Sequence, residues 1–435
     1  MRLILKIKLL ENNILSTTIM KKIHLLFFSI IFISTMSNAQ KINTDFLPKL
    51  LATKPEQFKD LMDNSERYRL QILYTQIDRD KKNRPKFTTY GYRINNTEYF
   101  YPASTVKFPA SALALEKINN LNIKGLTKET TMLTGAEYEK HTPVIKDSTS
   151  ESGLPSIAHY IKKILMVSDN DAFNRLYEFM GQEGFNDALR KKGYTDTRIF
   201  HRLQVGMNKE QNRRTNPIKF MNGNEVVYQQ PMIISQKDYD SPTPITIGKG
   251  YMKGDSVVNE PYGFTNRNFF PLMDQQEILK SILFPEAVEA KKRFNLTNND
   301  YKFLYQYMSQ MPTESIYPKY DPVEFYPTYC KFMLYGSGKN DVPNPNIRIF
   351  NKVGDAYGFL LDNTYIVDFD KGVEFMVTAV LLCNNDGIFN DDKYDYDTIG
   401  FPFMKNLGQL IYNYELSRPK KFKADLSRFR VGYDK

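Results

Sequence analysis

Ser104 and Lys107 stand three residues apart at the head of an apolar run, and together they offer nucleophile chemistry. A serine hydroxyl is a weak nucleophile at neutral pH and needs a base. A lysine one helical turn away lies on the same face, and burial depresses its pKa toward the neutral amine that takes the serine proton. A helix start also presents backbone N–H groups to a developing oxyanion. The same SxxK spacing recurs at Ser417–Lys420, where Pro419 interrupts a charged tail, so spacing alone does not select Ser104. Two further groups do. Ser168-Asp169-Asn170 adds a second hydroxyl and an amide, and Lys352-Val353-Gly354 adds a second amine.

The elements that must position these groups are legible as patterns. Lys54–Arg67 reads as an amphipathic helix, and Leu70–Ile77 and Lys86–Ile94 read as strands joined by the turn Asp80-Lys81-Lys82-Asn83. Pro102 suits the start of a long helix through Ala110, Leu113 and Ile118. Helical patterns follow over Ile157–Val167 and Ala172–Met180, with Ser168 between them. Asn222-Gly223-Asn224 marks a hairpin, and helical stretches are expected near Gln275–Arg293, Asp300–Met311 and Tyr326–Leu334. Apolar strands at Ile347–Val353, Tyr365–Phe369 and Val373–Cys383 precede a last helix over Phe403–Leu416. Strands from both ends of the chain should therefore share one antiparallel sheet, with a helical lobe formed by the middle.

Composition narrows the function. The chain has 435 residues, is 41% apolar and 25% charged, and carries a formal net charge of +10. Disorder, collagen and coiled coil are excluded. Two cysteines exclude a disulfide-dense scaffold, and four histidines with no HExxH leave little from which to build a metal site. No metal and no cofactor are expected. Lys21 and Lys22, the apolar stretch Ile23–Ile33 and the small residues ending at Ala39 read as a secretory leader over 1–39, too short to span a bilayer. The leader holds five Lys+Arg and one Glu, so the chain from Gln40 carries +6, without the clustered basic reader of a nucleic-acid-binding protein. The expectation is an exported protein, periplasmic or secreted, with no membrane span after leader removal. Cys330 and Cys383 are expected as buried thiols, although one disulfide is open to them outside the cell.

With its three motifs in order, the sequence resembles the class A β-lactamases and related penicillin-recognising serine enzymes, whose set is SxxK, SDN and a lysine-threonine-glycine strand. Asn174 resembles the later asparagine of the SDN helix. His141-Thr142-Pro143-Val144 is similar to the segment at the family's cleft mouth, and Gly358 with Asp362-Asn363 to the turn after its third motif. The resemblance covers most of 70–202 and 348–416. It implies an α/β (α+β) fold of β-lactamase/transpeptidase type, with a five-stranded antiparallel sheet flanked by N- and C-terminal helices. The sheet lobe would comprise about 54–103 and 347–435 and the helical lobe 104–217, with an insertion at 218–346; together they make one serine hydrolase domain over 40–435. By matched position, Ser104 would be acylated, Lys107 would be its base, and Ser168 would relay a proton beside the charge of Lys352. Asn170 would hold Lys107 and a substrate amide. Gly354 and Asp355 would line the strand beside the oxyanion hole, formed by the backbone N–H groups of Ser104 and Asp355, and His141 would sit at the cleft rim.

Three departures bear on activity. The family places a deacylating glutamate on a loop after an Arg-Leu pair; counting on from Arg202-Leu203 puts Met207 there, with Glu210 as a possible base if the loop shifts. Val353 replaces the threonine that bonds a β-lactam carboxylate, and Asp355 adds a negative charge nearby. The gap from the SDN motif to Lys352, 184 residues (168 to 352), makes room for a lid or wall whose tyrosines Tyr228, Tyr239, Tyr251 and Tyr262 are expected to pack. The resemblance implies an exported serine hydrolase acting on a small-molecule or cell-wall-derived acyl substrate, β-lactams among them. The alternatives are a D,D-peptidase, esterase or penicillin-binding protein that deacylates slowly, and a binding protein without turnover.

Overall fold

The computed structural model describes residues 42–241 and 243–434; the leader expected over 1–39 lies outside them. Two helices, α1 (Phe46–Leu51) and α2 (Pro55–Asp63), precede the hairpin of β1 (Gln71–Arg79) and β2 (Pro85–Tyr92). The hairpin turn closes because the Asp80 carboxylate accepts the backbone N–H groups of Lys82 at 2.8 Å and Arg84 at 3.0 Å. A short 3-10 turn (Ala103–Val106) then runs into α3 (Lys107–Leu121). The helical lobe adds β3 (Thr131–Thr134), α4 (Ile157–Val167), α5 (Asn170–Met180) and α6 (Gln182–Lys191).

The expected hairpin is present as β4 (Ile218–Asn222) and β5 (Glu225–Gln230), but β4 pairs with β3. The first residues assigned to the insertion thus complete a three-stranded sheet of the helical lobe. Beyond it, α7 (Leu272–Leu283) stops before Pro285, whose ring and missing N–H break the ladder, and two 3-10 turns replace the helix expected up to Arg293. A helix forms at α8 (Asn298–Ser309), whereas the stretch expected near Tyr326–Leu334 is mostly turns, and even its short segment Phe332–Tyr335 is broken by the non-helical backbone of Met333 and Leu334. The chain then makes β6 (Ile347–Ala356), β7 (Phe359–Asp368), β8 (Val373–Leu382) and α9 (Phe401–Ser417).

The five long strands form one antiparallel sheet in the order β6-β7-β8-β1-β2. Every residue of β7 and β8 is buried, which requires cover on both faces. On one face α1, α2 and α9 pack Leu47, Phe58, Leu407 and Ile411 in one core with Ile366 and Val377. On the other lies α7, a helix of the insertion. Its Gln276 side chain donates to the Leu73 carbonyl and to Thr378 Oγ1, each at 3.0 Å, and accepts from Thr75 Oγ1 at 2.6 Å. The insertion is therefore structural cover for the central strands as well as a surface feature. Both cysteines are buried free thiols. Among the described residues no helix is long and apolar enough to cross a membrane.

A buried ion pair ties the ends of β1 and β8: Arg79 donates from Nε and Nη2 to the Glu374 carboxylate at 2.5 and 2.7 Å, and Tyr365 Oη donates to the same group at 2.8 Å. The two side chains are 6% and 1% exposed. Removing one partner leaves an uncompensated charge, so Arg79→Ala is expected to cost about 3–5 kcal/mol. The double change Arg79→Met with Glu374→Leu should recover most of that loss, as read from urea denaturation midpoints.

Candidate active site

Ala103 occupies the left-handed region (φ 47°) while almost fully buried, an expensive conformation for a residue with a Cβ. It turns the chain sharply out of Pro102, so that Ser104 opens onto the cleft and Lys107 begins α3 one turn later. Ser168 is a second left-handed residue (φ 63°) at the end of α4, and Asp169 caps α5 by accepting the Ala172 N–H at 2.8 Å. These two unusual backbone positions set the Ser104 turn beside Gly354 of β6 and place the Ser168 hydroxyl against both amines.

The amines come from α3 and β6. Lys107 is fully buried; its Nζ donates to the Ser168 carbonyl, to Ser168 Oγ at 3.2 Å and to Asn170 Oδ1 at 2.7 Å. Lys352 is 3% exposed, and its Nζ donates to the same Ser168 Oγ and to its neighbour's carbonyl, Val353, both at 2.8 Å. Desolvation drives the Lys107 pKa well below the ordinary lysine value, and the Lys352 charge lowers it further. Desolvation also brings Lys352 down to about 8. Gly354 lies against the Ser104 turn: a Cβ there would sit 2.9 Å from the Ser104 nitrogen and 3.0 Å from the Pro102 carbonyl. Ser104, Lys107, Ser168, Asn170, Lys352 and Gly354 therefore meet in one crevice. Among the described residues Ser104 Oγ has no hydrogen-bond partner, and the residue is half-buried.

Strand alternation separates the rest of the third motif. Lys352 and Gly354 face the crevice, whereas Val353 is 2% exposed and packs in the core beneath α9, so its side chain does not face the substrate position. Asp355 is accessible at the mouth of the cleft but ringed by protein; desolvation raises its pKa while Lys352 and Lys107 pull it down.

His141 does not join the cluster. It is 8% exposed, with Nδ1 3.2 Å from Asn216 Oδ1 and Nε2 3.0 Å from the Gln211 carbonyl. Burial lowers its pKa, and its place is under the 201–217 loop rather than on the cleft rim. Glu210 is also remote: its exposed carboxylate pairs with Arg214 at 2.7 Å and Arg213 at 3.6 Å.

The residue that reaches the cluster from this loop is Gln204, which the sequence reading passed over for Met207. Asn174 clamps the preceding residue, accepting the Leu203 N–H at 2.8 Å and donating to the Leu203 carbonyl at 3.0 Å. The buried pair of Arg202 and Glu178 (3.0 Å) fixes the residue before that. Gln204 then turns back through a left-handed conformation (φ 56°), and its Oε1 accepts the Asn170 Nδ2 at 2.6 Å. The signal was present in the sequence: Gln204 directly follows Arg202-Leu203, the pair from which the loop position is counted.

Among the described residues no group of three metal-binding side chains converges. Residues 55–240 match the model described as "Beta-lactamase enzyme family". Similar solved structures include a beta lactamase from Xanthomonas campestris pv. campestris at 16% identity, covering 83% of this chain and 98% of that one with a TM-score of 0.46. A beta-lactamase from Burkholderia phymatum matches at 14% identity, over 84% and 98% of the two chains, with a TM-score of 0.44. PBP-A matches at 13%, over 85% and 96%, with 0.46. No curated protein matches the chain. The sheet order, the helical lobe and the family match give this protein the fold of the β-lactamase-like, penicillin-recognising serine enzymes.

Gly354→Ala tests the packing of the site. The added methyl meets backbone atoms that cannot swing aside, so the Ser104 turn must shift. A misplacement of this kind is expected to slow reaction at Ser104 by about 100-fold, with the unfolding midpoint little changed. Labelling kinetics beside circular dichroism melts would read both.

Proposed function

We propose that the protein is a serine hydrolase acylated at Ser104 that releases its acyl group slowly, and so behaves as a penicillin-binding enzyme more than as a β-lactamase. The observation that carries this reading is one hydroxyl, Ser168 Oγ, bonded at once by the buried amines of Lys107 and Lys352. Neutral Lys107 takes the Ser104 proton as Oγ attacks the substrate carbonyl carbon. The tetrahedral oxyanion rests on the backbone N–H groups of Ser104 and Asp355. Collapse breaks the carbonyl carbon–nitrogen bond, and the proton taken by Lys107 passes through Ser168 to the departing nitrogen, with Lys352 stabilising the negative charge. Asn170 holds Lys107 in place by its Oδ1.

Gln204 favours the slow release. Deacylation needs a group that removes a proton from water, and a side-chain amide has no basicity to offer at neutral pH. Gln204 stands where a carboxylate would serve, hydrogen-bonded to Asn170 beside Lys107. Export to the periplasm or exterior fits a cell-wall-derived acyl substrate and belongs to the same proposal.

A fluorescent penicillin should label the wild-type chain stably and fail to label Ser104→Ala; rapid hydrolysis of a chromogenic cephalosporin that persists in Ser104→Ala would refute the assignment. Gln204→Glu should raise the rate of label loss by at least 100-fold, followed by intact-protein mass spectrometry. The pH dependence follows from Lys352. It acts as a cation, so the acylation rate should fall as pH rises through about 8 and the amine loses its charge. Lys352→Arg should move that alkaline limb upward.

A further inference from the structure

Beside the crevice, where Gln204 accepts the Asn170 Nδ2 at 2.6 Å, lies a cavity of about 290 Å³. Tyr101, Gln204, Arg267 and Tyr357 line it, with His201 and Arg202. Arg267 comes from the insertion, in the segment just before α7. Its guanidinium lies over the rings of Tyr357 at 5.6 Å and Tyr262 at 5.9 Å. Among the described residues its side chain makes one hydrogen bond, donating from Nη2 to Tyr262 Oη at 2.8 Å, and no carboxylate pairs with it. A guanidinium has five N–H donors and does not lose its charge. Four donors therefore stand without a hydrogen bond among the described residues, and the positive charge meets only ring faces, in a partly buried, aromatic-walled pocket.

The other basic groups here are all accounted for. Arg202 is held by Glu178 at 3.0 Å. His201 is held neutral by burial, with its pKa at about 4. In the adjoining cavity of about 450 Å³, Lys209 is held by Asp238 at 2.7 Å and Asp240 at 2.6 Å, and Lys237 by Glu183 and Asp187. Arg267 is the exception, and it lines both cavities.

Direction decides which part of a substrate reaches it. None of Ser104, Lys107, Ser168, Asn170 and Lys352 lines this cavity; it adjoins the crevice through Gln204, which is bonded to Asn170. What extends past Ser104 toward Gln204 is the acyl portion of the substrate. We infer that Arg267 is a specificity-determining residue that recognises a carboxylate carried on the acyl side of the scissile bond, making the preferred substrates acidic acyl donors. This rests on acylation at Ser104, as proposed above. The charge-assisted, bidentate contact open to a guanidinium suits a carboxylate, and the tyrosine rings of the wall suit an aromatic or extended chain beside it.

Benzylpenicillin and carbenicillin differ by one carboxylate on the acyl side chain and make the comparison directly. Acylation rates at Ser104 would be measured for both by intact-protein mass spectrometry, in wild type, Arg267→Gln and Arg267→Lys. The wild type should favour carbenicillin by about tenfold. The preference should vanish in Arg267→Gln and return in part in Arg267→Lys, which keeps the charge without the fork. Equal wild-type rates, or a preference that survives Arg267→Gln, would overturn the inference. Should neither compound acylate Ser104, the acyl-enzyme reading fails and the pocket is judged alone. Calorimetric binding to Ser104→Ala protein then decides: carbenicillin bound about tenfold more tightly than benzylpenicillin, with the difference lost when Arg267→Gln is added, upholds the carboxylate site, and equal binding refutes it.

Discussion

Two ammonium groups buried against a single hydroxyl make the constraint on which the rest of this structure depends. Taking one lysine out of water is costly, and placing a second beside it adds like-charge repulsion. Among the described residues neither has a carboxylate in hydrogen-bonding contact to offset this; Lys107 is held by Ser168 and Asn170, and Lys352 by Ser168 and a backbone carbonyl. The repulsion is relieved when one amine gives up its proton. Geometry that is unfavourable for a pair of cations is therefore favourable for one base and one cation, the pairing that acyl transfer uses.

Holding that geometry requires rigid support from every layer. The left-handed Ala103 and Ser168, the close approach of Gly354 to the Ser104 turn, and the pleat that turns Lys352 inward each fix one coordinate of the cluster. The 201–217 loop is fixed in turn from below, where Asn174, Glu178 and His141 bond it through buried polar contacts. A buried polar group left unsatisfied is expensive, so these contacts specify one loop conformation and hence where Gln204 ends.

Much of this was legible in the sequence because it is written in local chemistry. Ser104, Lys107, the SDN segment and Lys352 were found by residue type and order, and the sheet strands by their β-branched runs. What the sequence concealed depends on contacts across the chain. His141 resembles a rim residue until the loop is seen closing over it. Val353 suggests a lost substrate contact until alternation puts it in the core. The role of α7 as cover for β7 and β8 was hidden because Gln276, polar in sequence, is spent on a backbone carbonyl and two threonine hydroxyls of the sheet. Arg267 carries no motif at all, and only its lack of an acidic partner among the described residues distinguishes it.

The sheet order has a consequence for how the molecule comes into being. Strand β1 is hydrogen-bonded on one side to β2, its immediate neighbour in the chain, and on the other to β8, with Gln71 opposite Val380. A nascent chain thus carries an apolar strand with one bare edge until nearly all of its successors have been synthesised. Contacts of such long sequence separation close slowly, and the waiting edge is a template for pairing with other molecules. Biogenesis should therefore depend on something that keeps that edge occupied or extended, whether a holdase or the ribosome itself, more than a protein with locally wired strands would.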